Sequence, residues 1–164
     1  MLHPAVLWGI GGVIWLLVHA LQRLVPIAIQ ITELELGPGR WSVCVLWLIF
    51  MAYSEGYRGF QKSFSPRVVS RALTLPGSSL LFQGLAPLYC MGFFHATRRR
   101  LIVAWVLWIS IIIFILLFQA LPFEWRVILD VGVVVGLGWG VLSLVAHTIV
   151  IGAGRASLCD PDLP

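Results

Sequence analysis

Long apolar runs alternate along the chain with short breaks that contain glycine, proline and charged residues. An α-helix rises 1.5 Å per residue, so about 20 apolar residues cross the ~30 Å hydrocarbon layer of a bilayer. Four runs approach or exceed that length, at 5–24, 41–56, 101–121 and 127–151. The pattern therefore predicts one all-α domain, an integral membrane four-helix bundle.

The segment between the second and third spans, 65–97, has a different pattern. Ser65 and Pro66 are typical of the start of a helix, and the residues after them separate into an apolar and a polar face at helical spacing. The apolar face holds Val68, Val69, Ala72 and Leu73, and the polar face holds Arg67, Ser70, Arg71 and Thr74. We expect a short amphipathic helix that lies on the cytoplasmic membrane surface.

Residues 79–96 allow two interpretations. The stretch is almost long enough to span, but it contains Gln83, Pro87 and His95. Basic residues collect in short cytoplasmic loops, and a crossing here would put the basic residues before and after the stretch on opposite faces. We therefore predict an interfacial or re-entrant helix broken near Pro87, with a fifth span as the alternative. This orientation places both termini in the cytoplasm and fits a plasma membrane such as the bacterial inner membrane.

The first apolar run is expected to remain in the protein as a helix. A cleavable signal has basic residues before its apolar core and small residues at a cleavage site after it. No Lys or Arg precedes Ala5, and no such site follows Ala20.

The composition agrees with a membrane protein. Of the 164 residues, 60% are hydrophobic and 11% are charged, whereas a soluble domain is about a quarter charged. This excludes a soluble enzyme domain, a disordered chain and a nucleic-acid-binding module. Membrane topology explains the basic residues without a nucleic-acid partner. We expect contact with anionic lipids through Lys62, Arg67, Arg71, Arg98, Arg99 and Arg100.

Gly132, Gly136 and Gly140 form a doubled GxxxG pattern on one face of the last span. Glycines at this spacing let a second helix approach closely. The partner is either another protein, which would make a homo-oligomer or a membrane complex, or the first span of the same chain, through Gly9 and Gly12.

Two charged residues are expected inside or near the membrane. Arg23, late in the first span, and Asp130, early in the last, lie at a similar depth. Unpaired charge is costly there, so we predict an ion pair between them. The alternative is that each side chain extends independently to the interface.

A candidate polar site consists of Glu55, Arg58, His95 and His147, all expected near the cytoplasmic surface. A carboxylate beside histidine and arginine can perform acid–base chemistry on a lipid headgroup or bind its phosphate. The alternative is a structural salt bridge between Glu55 and Arg58, which stand three positions apart.

Metals and cofactors are not predicted. The three cysteines lie in separate regions without metal-binding spacing. His19 and His147 lie toward opposite sides of the membrane, which argues against a shared haem.

No catalytic motif is present in the sequence. The favoured hypothesis is a non-enzymatic structural or accessory subunit that packs with itself or with a larger complex and binds anionic lipid. The alternative is a small membrane enzyme or carrier that acts on a lipid headgroup or a small solute through the candidate polar site.

Overall fold

The computed structural model describes residues 3–154 and 159–163, and this part of the chain is helical with no β-strand. The helical elements are α1 (Pro4–Ala28), which continues as a 3-10 turn (Ile29–Glu33), α2 (Pro38–Met51), a π-helical segment (Ala52–Phe64), α3 (Ser65–Thr74), a second 3-10 turn (Leu75–Gly77), α4 (Leu80–Gly84), α5 (Ala86–Met91), α6 (Arg98–Gln119) and α7 (Phe123–Gly152). The prediction of an all-helical protein is confirmed.

Three of these helices are long and apolar enough to cross a membrane, namely Pro4–Glu33, Arg98–Gln119 and Phe123–Gly152. This confirms the membrane character predicted from the sequence. The stretch 79–96 contains only α4 and α5, of five and six residues. Within the described chain it therefore forms no long helix, and a fifth continuous span is not found there.

The helices do not pack as a symmetrical bundle of four. α7 is central, and α1, α2, the π-helical segment and α3 pack around it, whereas α6 meets α7 only at few points. Ala104 is the one buried residue of α6. Helices in lipid associate through close packing of small residues and polar contacts, and α6 contains no glycine. Its sequence therefore offers little that would hold it against α7.

One end of the packed body, which we call the basic end, carries the larger apolar core. The first half of α1 packs there on α3 and α5, and Leu144 of α7 completes the cluster. Gly9 of α1 lies against Cys90 and Leu75, and Gly12 lies against Pro87. The glycines of the first span therefore admit α5, not α7.

The opposite end, which we call the far end, is held by a smaller cluster of Leu36, Cys44 and Ile128. Arg40 at the start of α2 forms an ion pair with Glu124 at the start of α7. The two helices thus begin at the same end and run parallel.

The glycine face of α7 packs inside the chain, against α2 and the π-helical segment. Gly132 faces Trp47 and Met51, Gly136 faces Glu55, and Gly140 lies under the Phe60 ring. The indole N–H of Trp47 donates to the Leu129 carbonyl at 3.2 Å. In the described chain the nearest neighbours of these three glycines therefore belong to the second helix and the segment that continues it, and not to the first span.

The π-helical segment keeps this contact in register. In an α-helix of 3.6 residues per turn, Phe60 would point about half a turn away from Met51, nine positions earlier. The i→i+5 bonding of a π-helix lengthens each turn, so both side chains face α7. Trp139 of α7 also holds the segment, because its ring lies on Gly56 and its N–H donates to Gln61 at 2.9 Å.

Candidate functional site

Arg71 is the most unusual polar residue of the basic end, because it is 1% exposed. Its guanidinium donates hydrogen bonds to four backbone carbonyls, of Tyr89 (2.7 Å), Pro161 (2.9 Å), Phe94 (3.1 Å) and His95 (3.1 Å). The guanidinium carbon also lies 4.5 Å from the centre of the Tyr89 ring. Arg71 therefore joins α3, α5, the loop after α5 and the segment 159–163.

This placement corrects two predictions for α3. Val68, Val69 and Ala72 are buried as expected, but Ser70 and Arg71 on the supposedly exposed face are buried as well. The physical reason is that α5 and the segment 159–163 cover the polar face. Arg71 is thus not exposed for contact with lipid, and α3 is buried on both faces within the basic end.

Burial lowers the pKa of Arg71, and the Tyr89 and Asp162 groups act in the opposite direction. The four carbonyls and the aromatic face compensate the buried charge in the way that buried cations require. The hydroxyls of Thr74 and Tyr89 are hydrogen-bonded at 2.9 Å and close the same cluster.

Arg67 lies near the Asp162 carboxylate beside this cluster. Arg67 Nη1 lies 3.7 Å from Asp162 Oδ2, and its Nε donates to the Ser63 carbonyl at 2.8 Å. Arg100 Nε is enclosed and donates to no acceptor among the described residues.

The segment 159–163 is docked on these arginines. The Thr97 N–H donates to the Asp162 carbonyl at 2.9 Å, and the Asp162 N–H donates to Asp160 Oδ1 at 2.9 Å. Asp162 has a φ of 53°, a left-handed conformation that aspartate tolerates better than most residues. A cavity of about 270 Å³ lies at this junction, lined by Lys62, Ser63, Pro66, Arg67, Cys159, Asp160 and Asp162.

Other predicted lipid contacts remain at the surface. Arg98, Arg99 and Lys62 are exposed, and the Lys62 ammonium lies 4.6 Å from the centre of the Tyr57 ring. Arg58 lines a separate shallow depression of about 390 Å³ on the π-helical segment, together with Phe50, Tyr53, Ser54 and Gly59.

The four residues of the candidate polar site lie in different surroundings. Among the described residues, no hydrogen bond or ion pair joins two of them. The His95 ring packs 4.9 Å from Phe82, and His147 Nδ1 donates to the Ser143 carbonyl of its own helix at 2.8 Å. Glu55 packs on Gly136, eleven positions before His147 along α7 and thus about 16 Å away along the axis. The salt bridge between Glu55 and Arg58 is also not formed.

Asp130 pairs with a different arginine from the predicted one. Its Oδ2 lies 3.7 Å from Arg126 Nε, one helical turn earlier on α7, whereas Arg23 is exposed. The predicted Arg23–Asp130 contact is therefore wrong. A local pair at (i, i+4) requires no agreement between the depths of two helices, which explains why it forms instead.

Sequence reasoning missed Tyr89, Cys159 and Asp162 as members of the basic end. Ser70 Oγ and Cys159 Sγ lie 3.5 Å apart, although 89 positions separate them in the chain. No local pattern signals such contacts. Within the described residues, no three His, Cys, Asp or Glu side chains are grouped so as to hold a metal ion.

Comparison of the chain with protein-family models, curated proteins and solved structures gave no match. The functional argument therefore rests on the geometry of the basic end.

Proposed function

We propose that the protein is a multi-pass integral membrane protein that acts as a non-enzymatic structural or accessory subunit and binds anionic lipid through its basic end. The observation that carries this proposal is the exposure of Lys62, Arg98 and Arg99 next to apolar helices. A cation near an anionic membrane surface contributes about 1 kcal/mol to binding.

In this proposal four helical segments cross the membrane. α1, α6 and α7 have the length and hydropathy of spans, and α2 with the start of the π-helical segment is the fourth. α2 has 14 residues, a length of about 21 Å. Its exposed Leu46, Ile49 and Phe50 are suited to contact with lipid.

The orientation follows from the same charges. Apolar side chains from the start of α1 and the second half of α7 share the core of the basic end. Basic residues favour the cytoplasmic side, so we propose that both of these helix ends are cytoplasmic, in a plasma membrane such as the bacterial inner membrane.

A subunit role also implies association with a second copy or with a larger membrane complex. The glycine face of α7 is covered by α2 and the π-helical segment, so we assign association to α6, the long helix with the fewest neighbours in the described chain. With Cys159 replaced by serine in both variants, replacement of Ile109 by cysteine on exposed α6 should give a crosslinked dimer with a short bis-maleimide in nanodiscs. Replacement of Leu142 by cysteine, exposed on α7, is the control. Equal yields, or monomer alone, would contradict self-association through α6.

Lipid binding is tested by thermal unfolding of the purified protein in an uncharged detergent. Added phosphatidylglycerol should raise the unfolding midpoint by about 5–10 °C at a hundredfold excess over its Kd, and phosphatidylcholine should not. High salt should reduce the effect because it screens exposed charges.

A pair of matched double variants locates the binding surface. Arg98→Gln with Arg99→Gln removes two cations from the basic end and should reduce the rise by about half. Arg23→Gln with Arg40→Gln removes two cations from the far end and should leave it unchanged. An equal response to both lipids, or an equal loss in both double variants, would refute the proposal.

A further inference from the structure

The depression on the π-helical segment lies outside the lipid contacts proposed above. It has a volume of about 390 Å³ and is lined by Phe50, Tyr53, Ser54, Arg58 and Gly59. Sites for small molecules usually have volumes of about 300–1,000 Å³. π-Helical turns are rare and frequently occur at functional sites, and here they continue from Ala52 to Phe64.

The lining changes from apolar to cationic along the helix. Phe50 lies at the α2 end, where Leu46 and Ile49 of the same helix are also exposed. Arg58 follows eight positions later, up to about 12 Å along the axis toward the basic end. A phospholipid beside this helix, with its headgroup toward the basic end, has the same order of acyl chain and phosphate.

Arg58 is the one charged residue in the lining, and its charge is not compensated there. No carboxylate lines the depression, and none of the ion pairs among the described residues includes Arg58. Glu55, the nearest carboxylate in the sequence, packs on Gly136 of α7 and is not part of the lining. The Ser54 hydroxyl donates to the Phe50 carbonyl at 2.6 Å, so Arg58 and Tyr53 are the lining side chains with donors for a ligand.

A second cation lies close to the Arg58 side of the depression. The Lys62 ammonium lies 4.6 Å from the centre of the Tyr57 ring, and that ring centre lies 6.0 Å from the centre of the Tyr53 ring. Gly59 keeps the floor open, because it has no side chain and a Cβ there would meet only the Ser54 carbonyl oxygen within 4 Å.

We propose that this depression binds one anionic phospholipid, with its phosphate on the Arg58 guanidinium and an acyl chain on Phe50 and Tyr53. The guanidinium fork matches phosphate oxygens and binds them with two parallel hydrogen bonds. Tyrosine is typical of the membrane interface, where its ring meets both apolar and polar groups. The inference rests on the proposed anionic-lipid binding and adds to it a site centred on Arg58.

The ligand is tested by titration of the full chain in uncharged detergent, with the unfolding midpoint as the readout. Dihexanoyl phosphatidic acid should bind saturably. Glycerol 3-phosphate, which has the phosphate without acyl chains, and dihexanoyl phosphatidylcholine, which has a fixed positive charge beside its phosphate, should bind at least about fivefold more weakly.

The decisive variant is Ser54→Arg, because an improvement in binding cannot result from misfolding. It adds a cation to the lining and should lower the apparent Kd for dihexanoyl phosphatidic acid about fivefold. Ser42→Arg is a matched control, because both serines donate to the carbonyl four positions earlier in the same helix. Ser42 lies at the exposed far end, so its replacement should leave the Kd unchanged within about twofold.

Two loss variants test the two halves of the site. Arg58→Gln should raise the Kd about fivefold, whereas Arg98→Gln, which removes the same charge from exposed α6, should change it less than about twofold. Phe50→Ala should raise the Kd about threefold, and Leu46→Ala, exposed on α2 outside the lining, should not.

The outcomes separate this site from general lipid binding. Tighter binding in Ser54→Arg but not in Ser42→Arg, with a larger loss in Arg58→Gln than in Arg98→Gln, supports the site. Equal losses in those two variants, with no gain in Ser54→Arg, would overturn the site and leave general anionic-lipid binding intact. Equal binding of glycerol 3-phosphate would overturn the acyl-chain contact. No response of the wild type to any anionic lipid would overturn both proposals.

Discussion

The intramolecular contact of the α7 glycine face gives a sharp prediction for Gly132→Ala. A methyl group at Gly132 would overlap the Trp47 ring, which is held there by its 3.2 Å hydrogen bond to the Leu129 carbonyl. Trp47 must therefore move, and its hydrogen bond must lengthen or break. Gly138, also on α7, has no atom within 4 Å of the corresponding position, so Gly138→Ala is a matched control.

The expected magnitude combines three effects. Overpacking costs about 1–3 kcal/mol, and loss of one hydrogen bond costs about 1 kcal/mol. Alanine gains up to about 1 kcal/mol over glycine in helix propensity. The net destabilisation of Gly132→Ala is thus about 2 kcal/mol, or a fall of about 4–8 °C in the unfolding midpoint. Gly138→Ala should be neutral or slightly stabilising.

The assay is unfolding in mixed micelles of dodecyl maltoside and increasing dodecyl sulfate, followed by far-ultraviolet circular dichroism. A double-mutant cycle with Trp47→Ala then isolates the contact, because the cost of Gly132→Ala should largely vanish once the ring is absent. If Gly132→Ala is as stable as Gly138→Ala, or if its cost is the same with and without Trp47, the reasoning is wrong. A change in oligomeric mass at unchanged monomer stability would instead identify this face as an interface between proteins.

Three further predictions concern the two ends of the molecule. Arg71→Gln should destabilise the protein by about 3–5 kcal/mol, because it leaves buried carbonyls without donors, while Arg99→Gln should change stability by less than about 0.5 kcal/mol in the same unfolding assay. Maleimide at pH 8 should label Cys159 and leave Cys90 unmodified, since burial raises the pKa of the Cys90 thiol to about 12; mass spectrometry of labelled peptides would show modified Cys90 if this is wrong. Arg40→Gln should cost no more than about 1 kcal/mol, because both side chains of its ion pair are 43% exposed, and a larger loss would contradict that estimate.

The spans were predictable because hydropathy and helix length are local properties. The last span was predicted at 127–151 and is observed as Phe123–Gly152, and the third was predicted at 101–121 and is observed as Arg98–Gln119. The first span extends further than expected, because Pro26 lies within α1 without ending it. Proline is tolerated in such helices when the freed backbone carbonyl finds another partner.

The junction between the second span and α3 differs from the predicted helix start, and the reason is physical. Ser65 and Pro66 predict a helix start, but the chain is helical from Pro38 to Thr74. The Ser65 N–H bonds to the Phe60 carbonyl in the π-helical register, and Pro66 has no N–H to continue either register. The sequence signal thus marks a change of hydrogen-bond register within one helix, which capping rules alone do not distinguish from a start.

The arrangement of the candidate site depends mainly on contacts between residues that are far apart in the sequence. No local sequence pattern indicates such contacts. Seven of the eleven basic residues lie between Arg58 and Arg100, and composition treats them as equivalent. The fold separates them into different roles. Arg71 holds backbone carbonyls in the core, Arg67 meets a carboxylate from the segment 159–163, and Arg99 is exposed.

This separation changes how charge at the basic end should be interpreted. A buried arginine that donates to four backbone carbonyls, as Arg71 does, contributes little to attraction of an anionic membrane surface, because its charge is compensated within the protein. Neutralising Arg71 should therefore reduce stability, while neutralising Arg98 or Arg99 should reduce the salt-dependent preference for anionic lipid. If Arg71→Gln instead weakened lipid preference as strongly as Arg99→Gln at unchanged stability, this division between core and membrane-facing arginines would be wrong. The free cations, and not the total count, should set the lipid preference.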